Sequence, residues 1–524
     1  MTGRSRAFRT STWSACAWLL CGVLLAGDAA AADSKQALEN AAHLVQQGRL
    51  EEADAQARLA LSDPEARAVA YSILGVIRLQ QNRLAESASV LQKALRLEPR
   101  LLGAHLTLAQ VYTLQKKPKL AVGLYRQVLQ LDPSNATARL ALARSEVETG
   151  NHQKALELAQ PVLPAFKQSP EGLLVLATAL LKSGDQAGAA ELAADWARLK
   201  DVPQVWSIEF GLLLAKQGAA AASVDVLERA RHTGPPSYEL EFNLAGAYLL
   251  NDDPARALNT YDTALALQPS SLPALRQAAA IAESQGELER SLSYWMRARK
   301  IEPDDAEILL GFGRVCLKMD LLEDAEPALE RAAQMRPGET SFQYTLAAAK
   351  VGKRQFEAAQ KLLQPLVAKR PQDPHLQYAL GSVLYIQGHL DDAAAHLRES
   401  ARLRPAQLAS HYYLALVAKD QGHDAEAVAM LEQLLQRYPE HAASCEVLGG
   451  LLMNAHRYEE AESNLRKAIR LNPKSVKANY QLGLLLARMG KKEEADRQLA
   501  LATTLRDEDA ASSRLQLRLL DPDQ

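Results

Sequence analysis

The stretch that decides the fold is Ala442–Ser475, AASCEVLGGLLMNAHRYEEAESNLRKAIRLNPKS. It carries two amphipathic helical patterns with a break between them. Leu448, Gly449 and Leu452 share one face of the first, and Ala461, Leu465 and Ala468 share one face of the second. Asn472-Pro473 ends the second pattern, because proline cannot continue the helical ladder and disfavours the helical conformation in the residue before it. One such hairpin cannot bury its apolar face alone. The rest of the chain supplies neighbours at a fixed interval of 34 residues.

Stepping by 34 in both directions gives fourteen consecutive repeats from Ser34 to Asp509 without an insertion, since 14 × 34 = 476. Position 8 is always small, from Ala41 and Gly75 to Gly449 and Gly483. Position 20 is Ala or Ser throughout, from Ala53 and Ser87 to Ala461 and Ala495. Position 32 is proline in ten repeats, Pro99 and Pro473 among them. Small residues at 8 and 20 let the two helices of a hairpin approach closely, where a larger side chain would overpack by roughly 1–3 kcal/mol. Gly, Asn or a charged residue near position 15 turns the chain between helices. The fourth and fifth repeats depart from the pattern, with Lys167 and Asp201 in place of the terminal proline and Pro161 and Pro164 inside a second helix. The expectation there is a kink or hinge around Gln160–Gln204, dividing the array into blocks 34–169 and 170–509. Pro327 and Pro365 also fall inside second helices.

This pattern closely resembles the tetratricopeptide repeat family, whose 34-residue helix-turn-helix unit is small at positions 8 and 20 and proline at 32. The resemblance implies an all-α fold, a right-handed α-solenoid of stacked helix pairs in which the first helix of each repeat lines a concave groove. After Asp509, Leu515, Leu519 and Leu520 stand at helical spacing, and a capping helix over the last repeat is expected within 510–524. In this family positions 2, 5, 9, 12 and 13 face the groove. Position 5 holds Tyr344, Tyr378, Tyr412 and Tyr480, and Tyr385 stands at position 12. Tyrosine joins apolar area to a polar tip, which suits peptide recognition, so these five are the candidate groove contacts. Glu446 interrupts the run of tyrosines at position 5. The chaperone-binding members of the family use a clamp of Lys, Asn and Arg. Asn243 is the one asparagine at position 6 and its flanks lack the rest, which disfavours that function.

The N-terminus is a different kind of segment. Arg4, Arg6 and Arg9 precede an apolar run from Trp13 to Ala26, followed by an Ala30-x-Ala32 site. This is the pattern of a secretory signal peptide over 1–32, and it implies an exported chain, periplasmic or otherwise envelope-associated. An uncleaved anchor is the alternative, on an apolar run shorter than the ~20 residues of a membrane span. No later segment approaches that length. Cys16 and Cys21 leave with the peptide, and Cys316 and Cys445 stand nearly four repeats apart, too far for the roughly 7 Å Cα limit of a disulfide. Both read as core filling.

No catalytic motif emerges. Zinc-protease, phosphate-loop, dinucleotide and nucleophile-elbow patterns are all missing from the sequence. Seven of the eleven histidines fall between His375 and His456, but His389, His423 and His456 belong to the turns of successive repeats, too far apart for one metal. The formal charge of -2 offers no basic field for nucleic acid. The expectation is therefore a non-catalytic protein-protein interaction scaffold with no cofactor and no metal, holding a protein or peptide partner in its groove. An accessory or assembly subunit of an envelope export or polysaccharide-handling complex is the second reading.

Overall fold

The structure, a computed structural model, describes residues 29–509 and Leu519. The described residues form helical hairpins in the expected register. In repeats three to fourteen the first helix starts at position 1 and runs through position 13, as in Leu102–Leu114, Ala306–Lys318 and Ala442–Asn454. The second helix of every repeat starts at position 17, as in Leu84–Leu97 and Tyr458–Leu471. The expected signal peptide lies outside the described residues except for 29–32, which open the first helix, Ala29–Gln46. The helix expected within 510–524 lies outside them too, apart from Leu519. Among the described residues no helix is long and apolar enough to cross a membrane.

Two compact units divide the chain, 1–269 and 270–524. The first holds repeats one to six and most of repeat seven; the second holds the remainder. Within each, a first helix packs on its own second helix, and in most repeats that second helix packs on the first helix of the next.

The inter-helix turn follows one rule in all fourteen repeats: position 15 has positive φ, with eight glycines and Asn82, Lys116, Asp252, Asp320, Arg354 and His456 there. In repeat two the Asn82 amide donates to the Leu79 carbonyl at 2.9 Å and the Arg83 amide to the Arg78 carbonyl at 2.8 Å. These two bonds satisfy the last carbonyls of the helix in a Schellman turn, which needs one left-handed residue. Gly286 provides that residue in repeat eight, at φ 77 with open space where a Cβ would stand. Gly286→Ala should therefore cost about 1 kcal/mol, the left-handed penalty of roughly 1–2 less the entropy alanine removes from the unfolded chain. Urea denaturation checks it, and a stabilised variant would refute the backbone account.

Between the helices the small positions act in pairs. Every repeat with glycine at position 8 carries leucine at position 24: Gly75 with Leu91, Gly211 with Leu227, Gly313 with Leu329, Gly381 with Leu397, Gly449 with Leu465 and Gly483 with Leu499. The leucine fills the space the missing Cβ leaves. Serine at position 20 adds a hydrogen bond across the hairpin. Ser87 donates to the Gly75 carbonyl at 2.7 Å, Ser223 to the Gly211 carbonyl at 2.7 Å, and Ser291 to the Ala279 carbonyl at 2.8 Å.

Repeat four breaks as expected. Its second helix splits into His152–Ala159, a tight turn Gln160–Val162, and Leu163–Lys167. Two prolines three residues apart, Pro161 and Pro164, remove two donors from one turn, and the chain cannot bridge them as one helix. Pro327 and Pro365 behave differently, each alone inside the continuous helices Leu322–Met335 and Phe356–Lys369. The break leaves Phe166 only 1% exposed. Its backbone presses on Gly172 of the next repeat where no Cβ would fit.

Candidate binding groove

The candidate contacts lie on first helices of the second compact unit, and the structure does not treat them alike. Tyr378, on Pro374–Ile386, is 1% exposed and belongs to the core. It meets Tyr413 edge to face, ring centroids 5.9 Å apart at 68°. Tyr385 and Tyr412 meet the same ring at 5.5 Å and 78° and at 5.8 Å and 79°. Tyr413 is therefore the hub of the cluster, and the spacing of position 5 does not reveal it. It stands at position 6, where it is the one aromatic in fourteen repeats, and that was the available signal. Each edge-to-face pair contributes about 0.5–1.5 kcal/mol beyond area burial.

Around this buried hub the half-buried rings keep polar tips. The Tyr385 hydroxyl donates to Asp420 Oδ2 at 2.6 Å. Asp420 also meets the Lys419 ammonium. Burial opposes ionisation of Asp420, but Lys419 and the Tyr385 hydroxyl outweigh it and hold the carboxyl below its usual range. The Tyr412 ring packs edge to face on His441 at 5.1 Å and 82°. Tyr344, on Thr340–Gly352, packs against the same apolar core, and its hydroxyl donates to the Leu519 carbonyl at 2.5 Å. Tyr480 stands apart on the last repeat, 51% exposed. So the structure brings Tyr344, Tyr378, Tyr385 and Tyr412 to one core, with Tyr378 as packing and the other three partly accessible; Tyr480 is separate.

Glu446 is already engaged. It accepts from the Ser475 hydroxyl at 2.6 Å and pairs with Lys477 at 3.1 Å, tying repeat thirteen to fourteen. Towards repeats eight and nine the same face turns ionic. Glu283 at position 12, Arg314 at position 9 and Lys318 at position 13 form one network, with Arg314 gripping both carboxylate oxygens at 2.8 and 2.7 Å. An aromatic patch is thus flanked by satisfied charges.

Burial pushes the Tyr413 phenol up to about 12, and that of Tyr261 to about 12 by burial first and Tyr238 second. Burial and the neighbouring Asp420 raise Tyr385 as well. A phenol whose folded value is raised favours the fold below the unfolded value near 10, and that contribution is lost as pH rises from there through the folded value. The chain should therefore lose stability above about pH 10, and Tyr413→Phe should lessen that loss. Tyrosinate absorbance against pH, with melting at each pH, measures it; an identical alkaline profile in both chains would contradict it.

Cys316 and Cys445 are free, buried thiols, and burial pushes Cys316 to about 11, away from the reactive thiolate. Among the described residues no group of His, Cys, Asp or Glu is placed to hold a metal. Asn135 caps the helix Ala136–Glu148 by accepting from the Ala138 amide.

Models described as tetratricopeptide repeat match residues 74–136, 113–172, 208–272, 321–383, 409–441, 442–475 and 464–497, together more than half of the chain. Among curated proteins, the general transcriptional corepressor ssn6 of Schizosaccharomyces pombe is 29% identical over 131 residues, 25% of this chain and 12% of that protein. Among solved structures, the APC/C hetero-tetramer Cut9-Hcn1 aligns over 88% of this chain and 98% of its own, at 16% identity and a TM-score of 0.41. YrrB, titled a TPR protein with an unusual peptide-binding site, aligns over 38% of this chain and 99% of its own, at 18% identity and a TM-score of 0.32. At these values neither structure carries anything about what this chain binds.

Proposed function

From a chain that belongs to the tetratricopeptide repeat family, we propose a non-catalytic interaction scaffold of the cell envelope that holds a partner segment on the first-helix face of its C-terminal repeats. The observation that carries this reading is the aromatic patch of repeats ten to twelve. Tyr344, Tyr385 and Tyr412 keep part of their rings accessible while Tyr378 and Tyr413 fix them from beneath. Rigid aromatic area with polar tips loses little side-chain entropy on binding.

Export rests on the sequence pattern of residues 1–32. A photo-crosslinking residue at 412, in the native cell, should capture one defined partner, and the same residue at 296, on the second helix of repeat eight, should not. Equal capture at both positions, or none at 412, would overturn the groove reading. N-terminal sequencing of the protein from the same cells should begin at Asp33; an intact Met1 would overturn the cleaved, exported form.

A further inference from the structure

Leu519 does not sit on the last repeat. It is 2% exposed within the apolar core of repeats ten to twelve, and its carbonyl oxygen accepts the 2.5 Å hydrogen bond from Tyr344, 175 positions away in sequence. Side chain and main chain are thus received separately, the one by an apolar pocket, the other by a phenol on the groove face. Together they select a leucine and require its carbonyl to be unengaged. A carbonyl inside a helix is bound to the amide four residues on. Leu519 lies in a bend instead, where the carbonyl is open to Tyr344.

We infer that the face of repeats ten to twelve is a leucine-accepting peptide site, that Leu519 fills it in cis, and that a partner must displace Leu519 with a leucine of its own in a non-helical segment. The inference rests on the groove reading above and adds to it the chemistry of the partner and a built-in competitor. Only ten positions separate Leu519 from the last helix, Lys492–Asp509. A site filled in cis in roughly nine molecules of ten would lower a competitor's apparent affinity about tenfold.

The test uses the full chain and a fluorescent peptide of residues 512–524, SSRLQLRLLDPDQ, read by anisotropy. Leu519→Asp empties the site, so that chain should bind the peptide about tenfold more tightly than the parent. Leu519→Ala, a milder change, should give a smaller gain in the same direction and serves if the aspartate chain fails to fold. Adding Tyr344→Phe to either should remove several-fold of the gain, because phenylalanine keeps the ring and loses the donor. Equal binding by parent and both variants, or binding by none, would overturn cis occupancy. Capture of a partner at 412 alongside such a result would leave the scaffold reading standing, so the two fail separately.

Discussion

A chain carrying Gly449→Leu should lose about 3 kcal/mol and open first at repeat thirteen. A Cβ at Gly449 would lie 2.6 Å from Leu465 Cγ and 2.8 Å from its Cδ2, with the Ala461 carbonyl at 3.4 Å. Leu465 is fully buried, and its Cγ is an anchored branch point. Three carbons beyond the Cβ cannot be accommodated by a tip swinging aside, which places the cost at the upper end of the roughly 1–3 kcal/mol seen for overpacking. In an array whose repeats contact only their neighbours, that loss falls on one hairpin and its two interfaces. Hydrogen exchange resolved by repeat should show early opening between 442 and 475. Leu465→Ala added to Gly449→Leu should recover part of the stability by returning the volume. The chain itself uses small residues at both places elsewhere, as with Ala143 and Ala159 in repeat four. Unchanged exchange in repeat thirteen would mean that the register of the array is misassigned.

The same close pairs explain what the sequence could reveal. Positions 8, 15 and 20 are each fixed by a local steric or dihedral demand repeated fourteen times, so any one of them signals the hairpin. The register of the hairpins followed for that reason. The broken second helix of repeat four was equally legible, because Pro161 and Pro164 act on their own turn. The site was less so. Position 5 marks a face of a helix, and burial on that face depends on what the next repeat places against it. Tyr378 is sealed with Tyr413 of the next repeat packed edge to face on it, whereas Tyr480 on repeat fourteen stands 51% exposed. The contact between Tyr344 and Leu519 was out of reach altogether, since no periodicity links position 5 of repeat ten to a residue beyond the last repeat. The departure from tyrosine at Glu446 marks a tie to Ser475 and Lys477, a structural joint between neighbours.

Arg314→Met should cost about 2 kcal/mol and change how the chain responds to acid. Glu283 keeps only 8% of its side-chain surface, and Arg314 holds both its oxygens, with Lys318 at 3.2 Å as the remaining cation. Removing one partner of a fully buried pair costs roughly 3–5 kcal/mol, because a charge is left uncompensated. Arg314 retains 36% of its surface, so water and Lys318 soften the loss to about 2. For Glu283, burial alone would raise the carboxyl, but Arg314 and then Lys318 reverse this and hold it below the ordinary range. A carboxyl depressed in the fold gives stability that is whole above the unfolded value near 4.3 and is lost as pH falls from there through the folded value. The parent should lose that increment on acidification below about pH 4.3, and Arg314→Met, already without most of it, should show a shallower decline. Glu283→Gln in the same chain should restore stability towards the parent, because the stranded charge is gone. A double-mutant cycle with no coupling energy would refute the pairing. The pair also has a mechanical consequence. It joins position 12 of repeat eight to position 9 of repeat nine across their first helices, so the first-helix face is braced by charge there and by edge-to-face tyrosines in repeats eleven and twelve. Loosening Arg314 should accordingly weaken partner capture at 412 less than it weakens the fold, because the aromatic patch of repeats ten to twelve keeps its own support in Tyr413.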